Sequence, residues 1–150
     1  NCSAMVDLQQ YEEYFRELSQ ALPGIGSMIP VTYDIDIYEY VQSLRAEDLP
    51  VLFVVLPTCE SLSRDPDCVV ERNFGMCLLL DKTDWQRERG LDAQKRLQPT
   101  FEEIKSMMRQ EYGRCGIFSR LNLEEMTSSP ESGLFKALSG WSLGFTFDSI

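Results

Sequence analysis

Trp141-Ser142-Leu143-Gly144-Phe145-Thr146-Phe147-Asp148 is the stretch whose reading decides the fold. In an extended chain Trp141, Leu143, Phe145 and Phe147 share one face, while Ser142, Gly144, Thr146 and Asp148 share the other. A slip of one residue would turn four large apolar side chains to water, so the register is strongly specified. The segment reads as a strand that closes a core and not as a loose tail.

Two more strands stand out. Val51-Leu52-Phe53-Val54-Val55-Leu56, set between Pro50 and Pro57, reads as a strand buried on both faces. The run 73–80 is the second, ending at Asp81-Lys82. The polar stretch 58–72 between them holds Pro66 and four acidic residues, and predicts a long hairpin connection of the kind that is usually functional or disordered. Further on, 117–126 reads as a strand, 127–133 as a turn and 134–150 as the final hairpin arm.

Leu8, Tyr11, Phe15, Leu18 and Leu22 recur every three or four residues and predict a helix over 6–22, with Asp7 favourable at its positive end. Pro23-Gly24 stops it, and 24–29 reads as loop. The next stretch carries two patterns. Residues 32–38 alternate like a strand, whereas Ile37, Tyr40, Val41 and Leu44 fit a helical stripe with Asp34 or Asp36 as cap; a short helix over 37–45 is preferred. A second long helix is predicted over 92–112, with a stripe of Leu97, Phe101, Ile104, Met108 and Tyr112. Pro99 either kinks it or precedes a fresh start, and Thr100 followed by Glu103 has the form of a capping box that favours the fresh start.

The expected fold class is therefore α+β: a mostly antiparallel four-stranded sheet with two long helices packed on one face. Strands are expected near 51–57, 73–81, 117–126 and 140–148, with the Trp141 face turned toward the helices carrying Phe15 and Phe101. At 150 residues the chain fits a single domain over 1–150, within which Asn1-Cys2-Ser3-Ala4 reads as an expression remnant ahead of Met5.

Composition narrows the function classes. With 43% hydrophobic and 25% charged residues the chain is an ordinary globular one. A net charge of −10 disfavours sequence-independent binding of nucleic acid, which needs clustered Lys and Arg, and repels anionic membranes. No apolar run approaches the ~20 residues of a membrane span, and nothing reads as a signal peptide. The five cysteines form no Cys-x-x-Cys pair, and the nine-residue gaps among Cys59, Cys68 and Cys77 match no zinc knuckle. Reduced cysteines of a cytoplasmic protein are expected, with Cys77 buried in its strand.

Catalytic chemistry finds little footing. The chain has no histidine, which removes the commonest general base, the commonest metal ligand and every Ser–His or Cys–His dyad. Gly24-Ile25-Gly26 lacks the strand before it and the Lys-Ser/Thr after it that a phosphate loop requires. Asp34 with Asp36, or Asp65 with Asp67, offers oxygen ligands without the pattern of a calcium loop. Glu102-Glu103 and Glu124-Glu125 are neighbours whose side chains diverge. No cofactor, no metal and no enzymatic activity are expected. The expected interface residues are Glu60, Arg64, Asp65, Asp67, Glu71 and Arg72 of the mixed-charge connection, with Tyr14 and Tyr38, which lie off the apolar stripes.

The strands 49–57 (Leu-Pro-Val-Leu-Phe-Val-Val-Leu-Pro) and 73–81 (Asn-Phe-Gly-Met-Cys-Leu-Leu-Leu-Asp), the ending 140–147 and the preceding helices together resemble small phage structural proteins of the tail-terminator and neck-completion type. The overall texture is similar to small prophage-encoded proteins of Bacteroidetes. The resemblance is one of architecture over most of 8–147. It implies a non-enzymatic protein that forms a ring at the tail end or head–tail junction, with itself and other phage head or tail proteins as partners, in a virion or the bacterial cytoplasm. Two rivals stand beside it: a monomeric cytoplasmic binding module with an acidic recognition loop, and a small carboxylate-dependent hydrolase.

Overall fold

The computed structural model describes residues 5–32, 34–83, 88–135 and 137–150, without the side chains of 34–36; residues 1–4 lie outside it. In chain order the elements are α1 (Leu8–Ala21), β1 (Ser27–Val31), α2 (Asp34–Val41), a 3-10 turn at Ala46–Asp48, β2 (Val51–Ser61), β3 (Glu71–Lys82), α3 (Gly90–Gln110), β4 (Thr127–Leu134) and β5 (Leu138–Ser149). The five strands form one sheet in the order β1-β2-β3-β5-β4. The alternating stretch at 141–148 lies inside it: β5 pairs antiparallel with β3 from Lys82↔Leu138 to Glu71↔Ser149, and with β4 along its other side.

The sheet corrects the four-stranded expectation, for it has five strands and is mixed. β1 runs parallel to β2, from Ser27↔Val51 to Val31↔Val55, where part of a loop was expected. Five residues including Pro30 make a weak strand signal, yet an edge strand pairs on one side only and tolerates proline there. The expected strand at 117–126 is instead a run of turns touching the sheet at one isolated bridge, Leu121↔Phe147. Its apolar side chains Phe118 and Leu121 are buried, closing the end of the core. A strand forms instead at β4, Thr-Ser-Ser-Pro-Glu-Ser-Gly-Leu, most of which, 127–133, was expected as a turn on its polar composition. β4 is the other sheet edge, and Pro130 sits within it.

α1 begins where Asp7 accepts hydrogen bonds from the backbone N–H groups of Gln9 (2.9 Å) and Gln10 (3.4 Å). Tyr11, Phe15 and Leu18 form its buried stripe, while Leu8 is exposed. α2 starts and ends earlier than the expected 37–45. α3 runs unbroken through Pro99, so there is no fresh start at Thr100. Pro99 is exposed, and the buried stripe Ala93, Leu97, Phe101, Ile104 and Met108 passes it without a change of phase. Packing both halves on the sheet outweighs a local cost of about 3 kcal/mol.

α1 and α3 cover one sheet face, where Tyr11, Phe15, Phe101 and Phe118 meet Leu79, Leu143, Phe145 and Phe147. Phe145 lies 6.2 Å from Phe15 between ring centres, and Trp141 stacks on Phe101 at 5.4 Å, as the alternation at 141–147 requires. Trp141 also donates its indole N–H to the carbonyl of Gln94 in α3 (2.9 Å). Gly75 of β3 faces Phe145 so closely that a Cβ there would stand 2.5 Å from the ring and 2.8 Å from the Tyr11 hydroxyl. On the opposite face Ile37 and Leu44 cover Val51, Phe53, Leu78, Leu80 and Leu138. Among the described residues no helix is long and apolar enough to cross a membrane.

Candidate docking surface

Among the described residues the cover over this second face stops part-way along β3. Along β3 the even positions Arg72, Phe74, Met76, Leu78 and Leu80 share it. Leu78 and Leu80 are buried beneath the cover, but Phe74 is 42% exposed and Met76 39%. Their cross-strand neighbours complete the patch: Val55 and Gly144 beside Met76, Thr58 and Thr146 beside Phe74. A Cβ placed at Gly144 would meet nothing within 4 Å, so a hollow opens next to Met76. Two carboxylates lie across its margins, with the Ser142 hydroxyl donating to Glu131 (2.9 Å) and the Thr146 hydroxyl to Glu125 (2.8 Å). The patch is thus apolar in the middle and acidic at the rim.

The expected interface residues fall into three places. Glu60 and Arg72 face each other across the β2–β3 pair, and Arg72 is occupied within the chain, its Nε 3.3 Å from Asp148 Oδ1. The connection itself is shorter than 58–72, because 58–61 pairs with 71–74 and leaves only 62–70 outside the strands. At the tip Arg64, Asp65 and Asp67 are exposed, and Asp65 accepts hydrogen bonds from the backbone N–H groups of Asp67 and Cys68 (2.9 Å each), an Asx turn that holds the tip. Glu71 points to the helix face, with one buried carboxylate oxygen that has no hydrogen-bond partner among the described residues.

Tyr14 and Tyr38 are far apart in environment. Tyr38 is exposed on α2. Tyr14 sets its ring edge-on to Phe15 (5.2 Å) and Phe118 (4.8 Å), and its hydroxyl is buried with no partner among the described residues. Burial, and then the negative charge of Glu111, pushes that phenol well above its ordinary pKa. Tyr14 is thereby a flank of the core more than a surface anchor.

The described residues hold no group of three or more His, Cys, Asp or Glu placed to share a metal ion. The Cys77 thiol is buried and pushed up to about 12 by that burial. Cys59 is exposed at the hairpin, where it donates to Asn73 Oδ1 (2.9 Å), and burial together with Glu71 raises its thiol pKa. Neither is a poised thiolate, since a nucleophilic cysteine needs a depressed pKa. No protein-family model matches the chain, and no curated protein matches it.

Sequence reasoning missed Phe74 and Met76. The run 73–80 reads as one continuous, mostly apolar strand, and so as buried on both faces. One signal was present: the inward positions carry Asn, Gly and Cys while the large residues take the other parity. An inner face that accepts only small groups at 73, 75 and 77 leaves the bulky side chains to the face whose cover is incomplete.

Proposed function

We propose that the protein is a non-enzymatic structural subunit that docks against copies of itself, of the kind that forms a ring at the tail end or head–tail junction of a phage or prophage particle. The bare patch carries the reading. Phe74 and Met76 stand side by side on a central strand and are both partly exposed, and apolar surface grouped within a polar rim marks an interaction site. The sheet edges are less suited to the task, since β1 holds Pro30 and β4 holds Pro130, and an edge-strand proline blocks strand addition. Contact through the face is favoured instead. In a ring that lets DNA pass, a net charge of −10 would keep the lumen from adhering to phosphate.

Light scattering after size exclusion tests this. The wild-type chain is expected to form closed oligomers as its concentration rises. Phe74→Ser with Met76→Glu is expected to be monomeric with an unchanged melting temperature, because both side chains are exposed in the single subunit. A wild-type chain that stays monomeric at high concentration and binds no head or tail protein would overturn the proposal. The monomeric binding module would then stand, with the same patch as its recognition surface.

A further inference from the structure

We infer that the contact between copies is head-to-tail: the bare patch of one copy receives the C-terminal end of α3 of the next. The inference rests on the self-association proposed above and specifies its symmetry. A two-fold contact sets a surface against itself, whereas a head-to-tail contact joins two different surfaces and closes into a ring or runs on as a filament. The rim of the patch argues against the first. Glu125 and Glu131 lie across the Gly144 hollow and Glu60 flanks it, while the cation beside them, Arg72, is held by Asp148. Facing the patch with its own copy would oppose carboxylate with carboxylate, and like charges across an interface exclude a partner.

The complementary surface is on the same chain. Residues 89–120 carry seven of the 14 Lys and Arg residues but only four of the 24 acidic ones, in a chain whose net charge is −10. Within that stretch Arg109, Tyr112 and Arg114 are exposed together at the end of α3, around the turn that closes it. Neither arginine forms an ion pair among the described residues. Tyr112 is 57% exposed, an aromatic residue flanked in sequence by two cations, which is the chemistry that suits an apolar hollow rimmed by carboxylates. α3 packs on the sheet face opposite to the patch, and its end reaches the rim of the sheet, where Tyr112 lines a cleft with Leu123, Glu124 and Asp148, so the two surfaces are distinct. A head-to-tail contact needs two such distinct surfaces on one chain.

Two blocked variants and their mixture test the symmetry. Met76→Glu disables the patch; Arg109→Glu with Arg114→Glu disables the end of α3. Each alone is expected to be folded, by its melting temperature, and monomeric. Mixed, they are expected to give a 1:1 dimer and nothing larger, because each variant still offers one intact half of the contact. Should the double Glu variant fail to fold, Arg109→Ser with Arg114→Ser replaces it. Rising salt is also expected to weaken wild-type assembly, since opposite charges meet in it. A double arginine variant that assembles like wild type, a mixture that forms no dimer, or assembly strengthened by salt would overturn the head-to-tail contact while leaving self-association in place. A wild-type chain that never associates overturns both.

Discussion

Gly75 and Gly144 are one residue out of register on neighbouring strands, and the same substitution at the two sites should change stability in opposite directions. At Gly75 an added Cβ would lie 2.5 Å from Cε2 and Cζ of Phe145 and 2.8 Å from the Tyr11 hydroxyl. Both neighbours are buried and ringed by other aromatic side chains, so neither can swing away, and the hydrogen bond from Tyr11 to the Val55 carbonyl (3.3 Å) would be strained as well. Overpacking of this kind costs about 1–3 kcal/mol. Replacing a strand glycine returns about 0.5–1 kcal/mol of backbone entropy, so Gly75→Ala should lose about 1–2 kcal/mol net. At Gly144 nothing lies within 4 Å, and Gly144→Ala should gain about 0.5–1 kcal/mol. Urea unfolding of both variants, measured on the monomer, gives the comparison directly. At about 2–4 °C per kcal/mol for a domain of this size, their melting temperatures should fall on either side of wild type. A Gly75→Ala variant as stable as Gly144→Ala would refute the close approach of Tyr11 and Phe145 to β3.

Phe145→Ala should cost about 3–5 kcal/mol, the usual range for a buried phenylalanine; a loss below about 1 kcal/mol in denaturant titration would show that this face is not core. Tyr14→Phe removes a buried hydroxyl that has no partner among the described residues and should raise stability by up to about 1–3 kcal/mol, whereas a clear loss would reveal a hydrogen bond to that oxygen. Alkylation in native buffer should label Cys68 and Cys115 readily, Cys59 more slowly and Cys77 not at all, and peptide mass spectrometry showing early Cys77 labelling would contradict its burial. The raised Cys77 thiol makes the folded state hold its proton after the unfolded chain has released it. Its contribution is whole below pH 9.0 and drains away as the pH climbs toward about 12, so the melting temperature should fall through that window, and a flat profile there would count against the burial.

The central features were legible because they depend on periodicity. The alternation at 141–147 placed Phe145 against Phe15 and Trp141 against Phe101, and the stripes of α1 and α3 followed the 3.6-residue rule except at their ends, where Leu8 and Tyr112 are exposed and Tyr112 lies beyond the helix. The edges were not legible. β1 and β4 have five and eight residues, each with a proline, and their strand character comes from backbone pairing to a neighbour already in place. The run 117–126 misled for the converse reason, since Phe118 and Leu121 serve the core from turns, without a ladder. Pro99 stayed helical because burial on both sides of it decided against the local signal. The half-exposed patch was hidden for a third reason: exposure of Phe74 and Met76 depends on how far the cover over the second face extends, which no local pattern encodes.

The position of β5 between β3 and β4 sets the order in which a growing chain can become a sheet. Synthesis delivers β1, β2 and β3 early, but the partner of β3's free side lies beyond α3 and the turns that follow it. Until 138–149 has left the ribosome, β3 presents an unpaired edge whose inward row includes Cys77 and Leu79, and β4 has no neighbour. Such an edge is a template for pairing with other chains. A premature stop ahead of Leu138 would therefore release a sticky species and not merely a weakened fold. During normal synthesis the same interval is where a chaperone would find its longest hold.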